Sequence, residues 1–380
     1  MDVDMVPMTR NAVVQTGRWS RARRLHLLSQ LLLGDPFAAG SSAPALGHEL
    51  RMLSNWDYEE LAQFLAFADL HHVLVRALEV LRSSTVGAMS PRLSNQCAVV
   101  LAKEQDRISR AFGMLEPVCD ALESAGCSAI VIKSLDHWPD IGSDLDLYTG
   151  GRQDQIVSIL RKKFSAEVMP RSWGDRLAHK WNFRLPGLSE AVEVHVGCLG
   201  QTGEHLSLAR RVASRAIRRT VGGHTFRVPA PEERVLIATL QRMYRHFYCR
   251  LCDIVDTTKL IQAQELDYAI LRVGAESSGI WPGVATFLVT VTEYARACGA
   301  KLELPAEVVH SATKGDALHL RGDFLRISIV PKAAGLFLRQ VLYAGSQRNL
   351  RTVCRLSLLP GLAAAAFVAY KFTGNDKGVW

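Results

Sequence analysis

The sequence predicts an α+β protein in which a small domain with a mixed sheet is flanked by helical regions on both sides. Two observations carry this prediction. Short apolar runs typical of strands lie between about residues 128 and 197, whereas apolar positions at helical spacing dominate before and after them. We therefore expect a helical region at 1–112, an α/β domain at 113–230 and a helical domain at 231–380.

The amino-terminal region shows apolar residues at helical spacing from about Asp57 to Arg82 and again from Leu93 to Ser124. Gly126 follows the second run and is a natural end for a helix. Pro117 removes a backbone donor and crowds the preceding turn, so we expect it to divide or kink that helix.

Four runs in the middle of the chain are predicted strands. They read SAIVIK at 128–133, DLDLYT at 144–149, KWNFRL at 180–185 and AVEVHVG at 191–197. The segment PGLSE between the last two is typical of a turn, so these two strands should form an antiparallel hairpin. The segment RQDQIVSILRKKF before the hairpin has the pattern of a helix.

A basic stretch, SLARRVASRAIRR, follows and is predicted to be helical. Arg211, Arg215 and Arg219 recur every four residues, with Arg210 and Arg218 beside them, which predicts one strongly basic helix face. We interpret this face as solvated, and binding of a nucleic acid is the less favoured alternative.

The carboxyl-terminal region begins after a strand-like HTFRVP, where Pro231 is expected to open a helix. Helical patterns then continue to the end of the chain. The apolar run LSLLPGLAAAAFVAY contains Pro360 and has about 15 residues, whereas a spanning helix needs roughly 20. We therefore expect a buried terminal helix, with peripheral contact to a membrane as the less favoured alternative.

Composition restricts the class of protein and of partner. The 380 residues are 48% hydrophobic, which suits a globular protein, and the formal charge of +8 favours anionic partners. The amino-terminal residues lack an apolar core followed by a cleavage site, so we expect a cytoplasmic protein. The eight cysteines are scattered, as expected of reduced thiols rather than a disulfide framework.

Cys249 and Cys252 form a C-x-x-C motif with His246 one helical turn earlier. A structural zinc site normally needs four ligands, and no second pair follows at a suitable spacing. We therefore interpret these residues as packing residues of a helical segment.

Three carboxylates carry the chemical prediction. Asp144 and Asp146 alternate with leucines on a predicted strand, so both side chains lie on one face of it. Glu193 lies in a second apolar strand and shares its face with His195. Converging carboxylates repel one another unless a cation lies between them, and hard oxygen ligands suit Mg²⁺ or Mn²⁺ together with the phosphates of a substrate.

These motifs resemble those of a known superfamily. GSDLDLYT followed some fifty residues later by VEVHVG is similar to the DNA polymerase β-type nucleotidyltransferases, and most closely to their branch of uncharacterised bacterial nucleotidyltransferases. The resemblance covers roughly residues 95 to 275. It implies transfer of a nucleoside monophosphate from a nucleoside triphosphate such as ATP to an acceptor, with release of pyrophosphate.

The resemblance also implies roles for individual residues. Asp144 and Asp146 would ligate both metal ions, and Glu193 would complete the site of the ion that serves the attacking oxygen. The residues Lys133, Ser134, Gly142 and Ser143 would contact the triphosphate. His195 would orient Glu193 or the acceptor, with a satisfied core histidine as the alternative.

The sequence departs from the superfamily at two points. Ser134 follows Lys133 where a glycine is usual, and PDIGS stands where an arginine often precedes the paired aspartates. Lys133 is therefore either a phosphate ligand or a charge at a strand end. These departures keep open a degenerate protein that binds nucleotides or partners without catalysis. The basic charge and the basic helix keep open a toxin-like nucleotidyltransferase acting on tRNA. The acceptor is a small molecule, a protein or an RNA.

Overall fold

The computed structural model describes residues 19–34, 56–84, 90–313, 318–328 and 332–373. Most of the amino-terminal segment behind the cytoplasmic prediction lies outside the described residues. The described helices, numbered along the chain, are α1 (Arg21–Leu33), α2 (Tyr58–Leu70), α3 (Leu74–Ser84), α4 (Pro91–Ser124), α5 (Gln153–Phe164), α6 (Trp173–Leu177), α7 (Leu206–Ser214), α8 (Pro231–Gln241), α9 (Leu251–Gln262), α10 (Tyr268–Glu276), α11 (Trp281–Ala297), α12 (Ala306–Ser311), α13 (Ala334–Ser346) and α14 (Leu350–Thr373).

The strands form a central mixed sheet and two small sheets. They are β1 (Ile130–Val131), β2 (Asp144–Thr149), β3 (Glu167–Val168), β4 (Lys180–Arg184), β5 (Ala191–Val196), β6 (Ile217–Val221), β7 (His224–Val228), β8 (Tyr248–Cys249), β9 (His319–Arg321) and β10 (Phe324–Arg326). The central sheet has five strands in the order β1-β2-β5-β4-β3. Strands β2 and β5 are parallel, and the other neighbours are antiparallel. The α+β prediction is therefore confirmed.

Alternation along β2 and β5 separates the core from the candidate site. Leu145 and Leu147 are fully buried on one face of β2, and Val192 and Val194 are fully buried on the same face of β5. Because successive side chains of a strand point to opposite faces, the acidic residues between them share the other face. The predicted hairpin of β4 and β5 is also present.

Helix α4 runs through Pro117 without a break, so the expected division there is wrong. A proline ring inside a helix crowds the carbonyl four residues earlier, which here belongs to Gly113. Apart from the backbone of the helix itself, no described atom lies within 4 Å of where a side chain would begin at Gly113, so this turn has room to adjust. Burial of Leu115 and Val118 on either side holds both halves in one helix.

The predicted basic helix face does not form. Helix α7 ends at Ser214, and Arg218 and Arg219 lie on β6, which returns as β7 through a turn at Gly222 and Gly223. Both glycines have positive φ, of 55° and 83°, which favours such a tight hairpin. Local spacing therefore predicted a helix where the turn chemistry imposes a strand.

The arginines that do lie on or next to α7 are engaged by carboxylates. Arg211 Nε donates to Glu233 Oε1 at 2.8 Å, and Arg215 donates to the same oxygen at 2.9 Å and to Glu232 at 2.9 Å. Glu233 is fully buried at the start of α8. These arginines hold α7 against α8 rather than facing solvent.

The carboxyl-terminal region departs from its prediction in two ways. A three-stranded sheet in the order β8-β10-β9 interrupts the helical pattern. Helix α14 is not buried as expected, since only 11% of its apolar stretch Leu350–Ala369 is buried. Among the described residues, this helix alone is long and apolar enough to cross a membrane by length and composition.

His71 joins three distant segments that surround the site. Its Nδ1 accepts from the backbone N–H of Leu251 at 3.0 Å, and its Nε2 donates to the carbonyl of Asp323 at 2.8 Å. The end of α2, the start of α9 and the turn between β9 and β10 are therefore fixed to one fully buried imidazole.

Candidate active site

A polar cavity of about 220 Å³ lies over the face of the central sheet that carries the acidic residues of β2 and β5. One wall carries the carboxylate cluster, which we define as Asp144, Asp146 and Glu193. The opposite wall is basic and comes from the segment that links α8 to α9. The predicted contact residues Lys133, Ser134, Gly142 and Ser143 also line it.

Strand register brings the acidic residues together. Asp146 and Glu193 are direct neighbours across the parallel pair of β2 and β5. Both side chains are largely buried, with exposed fractions of 12% and 13%. Asp144 shares their face of the sheet but is exposed, and its Oδ2 accepts from Ser143 Oγ at 3.3 Å.

Lys133 and His195 occupy the space between the two buried carboxylates. Lys133 Nζ contacts Asp146 Oδ1 and lies 3.8 Å from Glu193 Oε1. His195 Nε2 lies 2.8 Å from Glu193 Oε1 and 3.5 Å from Asp146 Oδ1. The structure thus places His195 in position to orient Glu193.

Lys180 supplies a second ammonium that the sequence reasoning missed. It lies on β4, next to β5, and its Nζ is 2.9 Å from Glu193 Oε2 and 3.0 Å from Asp175 Oδ1. Glu193 is therefore enclosed by two lysines and a histidine. Cross-strand register between Lys180 and His195 places the lysine there.

The pKa values of Glu193 and Asp144 shift in opposite directions. Burial alone would raise the pKa of Glu193, but Lys133, the hydrogen bond with His195 and Lys180 together hold it well below its usual value. Asp144 shows the opposite behaviour. Its partial burial at the cavity wall, and then the negative charges of Asp146 and Glu193, raise its pKa.

The loop after β1 shapes one side of the cavity. Lys133 has a φ of 65°, an uncommon conformation for a residue with a side chain, and it turns the chain so that Ser134 is buried. Ser134 Oγ donates to the carbonyl of Asp144 at 3.2 Å and accepts from the N–H of Asp146 at 2.8 Å. Ser134 therefore fixes the edge of β2, and its contact with a triphosphate remains a prediction.

The basic wall was not predicted from the sequence. It contains Arg242, Arg245 and Arg250 together with His246. Arg242 is buried and pairs with Asp253 at 2.8 Å. In the described part of the chain, Arg245 has no carboxylate within 4.0 Å, so its half-buried guanidinium is available to an anion in the cavity.

Arg245 lies in a π-helical turn, Arg242–His246, that continues α8. Such turns are rare and frequently occur at functional sites. The run RMYRHFYCR, with basic residues three or four apart around aromatic residues, is the signal in the sequence that could have indicated this wall.

A second, mostly apolar cavity of about 600 Å³ adjoins the first at Arg245 and His246, which line both. Its walls include Phe337 of α13 and Pro360 and Phe367 of α14. An apolar chamber beneath the exposed carboxyl-terminal helix is therefore a direct neighbour of the polar cavity.

The donor set of the polar cavity suits a divalent cation. Asp146, Glu193 and His195 each offer a ligand atom, and these atoms lie within 4.8 Å of one another. Lys133 Nζ stands between the two carboxylates, where a positive charge is needed. Asp144, at the cavity wall, adds a further oxygen donor. Hard oxygen ligands around a cavity with room for phosphates are the surroundings that Mg²⁺ prefers.

Comparisons with known proteins place this geometry in a family. No curated protein matches the chain. Among solved structures, the crystal structure of an antigenic nucleotidyltransferase-like protein from Paracoccidioides brasiliensis matches with 17% identity and a TM-score of 0.31, covering 55% of this chain and 98% of that one. A model of the family described as uncharacterised nucleotidyltransferases matches residues 57–296, which is more than half of the chain and begins earlier than the motifs suggested. The chain belongs to the uncharacterised nucleotidyltransferase family.

Proposed function

We propose that this protein transfers a nucleoside monophosphate from a nucleoside triphosphate to an acceptor, in a reaction of the polymerase β type that depends on Mg²⁺ or Mn²⁺. The observation that carries the proposal is the in-register pair of Asp146 and Glu193, which faces a cavity with Asp144 on its wall and a basic surface opposite. Membership of the family supports the transferase class, whereas the metal, the nucleotide and the acceptor are the proposal's own.

The carboxylate cluster would hold the metal ions. Two ions in such a site stabilise the attacking and leaving oxygens of an in-line displacement at phosphorus. To admit an ion, the Lys133 ammonium leaves its place between Asp146 and Glu193 and becomes available to a phosphate oxygen. The flexible stem of the lysine would allow this movement. The alternative of a charge at a strand end that reaches solvent does not describe Lys133, whose side chain is 14% exposed.

Arg245 and the loop after β1 would bind the triphosphate. The Arg245 guanidinium faces the cavity without a carboxylate partner among the described residues, and a guanidinium matches phosphate oxygens in a bidentate way. In the reaction a bond forms between the acceptor oxygen and the α-phosphorus, and the bond to pyrophosphate breaks.

Glu193 and His195 would handle the acceptor proton. Their hydrogen bond of 2.8 Å holds the carboxylate in one orientation, and Lys180 fixes its other oxygen. Glu193, still held by His195 and Lys180, would accept a hydrogen bond from the acceptor hydroxyl, take its proton as the bond to phosphorus forms, and release that proton to solvent.

The acceptor would approach from the apolar chamber. This chamber meets the polar cavity at Arg245 and His246, so a molecule with a polar end and an apolar body fits both. This arrangement favours an amphiphilic acceptor over a tRNA, and it is consistent with the loss of the basic helix face.

Labelled nucleotides test which phosphate group is transferred. The full-length protein is incubated with Mg²⁺, cell extract and each nucleoside triphosphate labelled at the α- or the γ-phosphate. We expect the acceptor to become labelled when the α-phosphate carries the label. It should remain unlabelled when the γ-phosphate carries it. Glu193→Gln should abolish labelling, whereas Glu167→Gln, which changes an exposed glutamate paired with Arg184, should leave it intact.

Two outcomes would overturn the proposal. Transfer of γ-label would identify a kinase. Failure to transfer any label, together with undetectable nucleotide binding, would favour an interaction protein that retains the fold without the chemistry.

A further inference from the structure

Three potential metal ligands from distant parts of the chain meet beside the polar cavity. They are His72 after α2, His137 in the loop after β1, and Cys252 in the first turn of α9, and we call them the His-His-Cys cluster. His72 and His137 also line the cavity, whereas the Cys252 side chain is completely buried behind them. Nothing in the proposed transfer reaction uses these residues.

The spacing of the donor atoms suits a small transition-metal ion. Cys252 Sγ lies 3.8 Å from His137 Nε2, close to the roughly 3.6 Å between sulfur and nitrogen ligands of tetrahedral zinc. The ligand atoms of the three residues all lie within 4.8 Å of one another.

His137 is already oriented as metal-binding histidines usually are. Its Nδ1 is 2.5 Å from Asp256 Oδ2, which leaves Nε2 facing Cys252. Asp256 is itself held by Arg76 at 2.6 Å. A carboxylate on the far nitrogen fixes the ring and increases its basicity as a ligand.

His72 carries two unexplained features. Its Nδ1 is buried and has no hydrogen-bond partner among the described residues, although buried polar atoms are normally paired. Its backbone has a φ of 53°, in the left-handed region that is costly for a residue with a side chain. The ring fits against Gly142, where a side chain would begin 3.0 Å from the His72 ring.

We propose that the His-His-Cys cluster binds one divalent transition ion of the zinc class, separate from the magnesium site. The donors are two imidazoles and a thiolate, which favour zinc over magnesium, whereas the carboxylate cluster has the reverse preference. The charges also match: Arg76 offsets Asp140, and a thiolate at Cys252 with the carboxylate of Asp256 offsets a divalent ion. Three protein ligands leave a fourth position on the cavity side, the pattern of zinc sites that bind a water or a substrate.

The C-x-x-C motif therefore contributes one ligand, not two. Cys249 is buried in β8 and lies outside the cluster, and so does His246, as far as the described residues show. Cys249 is thus a matched control, because it has the same chemistry and burial and lies three residues away.

The test uses the full chain, freed of metal and then dialysed against a slight excess of Zn²⁺. We expect about one bound zinc per chain by elemental analysis in the wild type and in Cys249→Ser. Cys252→Ser and His72→Ala should lose it. With Co²⁺ as the probe, the wild type should show a thiolate-to-cobalt charge-transfer band that disappears in Cys252→Ser.

Zinc retained in both Cys252→Ser and His72→Ala, or absent from the wild type, would overturn the proposal. His72→Ala keeps the test decisive if the serine variant fails to fold, because His72 is half-buried on the cavity wall. Binding is measured without nucleotide, so the result does not depend on whether the protein transfers nucleotides.

Discussion

Two groups of charged side chains lie close to the polar cavity and differ in how their charges are neutralised. In the arginine cluster, which we define as Arg76, Asp140 and Asp256, the Arg76 side chain is only 5% exposed and binds both carboxylates, at 2.8 and 2.6 Å. In the carboxylate cluster, two lysines neutralise the acidic groups, and one aspartate remains exposed to the cavity.

This difference distinguishes charged groups that stabilise the fold from charged groups that can take part in the reaction. Arg76 also donates to the carbonyl of His72 at 2.9 Å, so each of its three guanidinium nitrogens makes a hydrogen bond and the group cannot leave without breaking all of them. A lysine ammonium on a flexible stem can move aside for a metal ion. Changes in the carboxylate cluster should therefore affect activity, and changes in the arginine cluster should affect stability.

The largest effect is expected for Asp146→Asn. We expect nucleotide transfer to fall by more than about a hundredfold, because the change replaces a charged, buried carboxylate of the metal site with a neutral amide. The protein should remain folded. Transfer rate and circular dichroism are the measurements, with Asp154→Asn as the control, since Asp154 is exposed and paired with Arg152 on α5. Normal transfer by Asp146→Asn would show that the β2 carboxylate is not needed for the reaction.

Arg76→Met should give the largest loss of stability, by about 3–5 kcal/mol in the free energy of unfolding, because two buried carboxylates lose their shared cation. Denaturant unfolding measures this. Arg272→Met is the control, since Arg272 is exposed and pairs with Glu276. If Arg76→Met were as stable as the control, the arginine cluster would not be important for the stability of the fold.

Arg245→Met should weaken nucleotide binding by roughly tenfold or more, because a charge-assisted hydrogen bond to phosphate contributes about 1.5–3 kcal/mol. The effect should appear in KM for the nucleotide and in the salt dependence of binding, with little loss of stability. Nucleotide affinity equal to that of the wild type would place the triphosphate away from the basic wall.

Asp144→Asn should give the smallest effect on stability, and the size of that effect depends on pH. The raised pKa means that ionised Asp144 is unfavourable in the folded chain at neutral pH. In EDTA, the variant should therefore be equal to or slightly more stable than the wild type. The difference should vanish as the pH falls through the raised pKa to below 3.8, the ordinary value. Thermal melts across pH test this, and a clear loss of stability would show that Asp144 is paired.

Asp146→Asn should behave differently from Asp144→Asn in the same melts. Repulsion among converging carboxylates would by itself favour either change, but Asp146 contacts Lys133 and lies near His195. Removing its charge leaves Lys133 with Glu193 alone, at 3.8 Å. We expect some loss of stability for Asp146→Asn and none for Asp144→Asn.

The sequence was informative where local pattern determines structure. Strand β2 matches the predicted DLDLYT, and the hairpin of β4 and β5 follows from alternation and a turn. Alternation alone also placed Asp144 and Asp146 on one face. Contacts between distant segments were not accessible in this way. Lys180 reaches Glu193 through strand register, and Arg245 reaches the cavity through a π-helical turn.

The errors have the same physical origin. Spacing of four residues suggested one helix through Arg219, but the glycine pair at 222 and 223 fixes a hairpin, and Arg211 has its partner, Glu233, in another helix. The apolar segment around Pro360 suggested burial, yet α14 is largely exposed and forms one wall of the apolar chamber. Periodicity indicates which residues share a face, but not what that face meets.

The central claim is that the carboxylate cluster binds a nucleotide together with a metal ion. The most direct test is thermal stability of the full-length protein with each nucleoside triphosphate, with and without Mg²⁺ or Mn²⁺. At least one triphosphate should raise the melting temperature more with metal than without it, and Asp154→Asn should behave like the wild type. Asp146→Asn should lose the dependence on metal. An equal metal-dependent shift in Asp146→Asn, or no shift with any triphosphate and metal, would contradict the account.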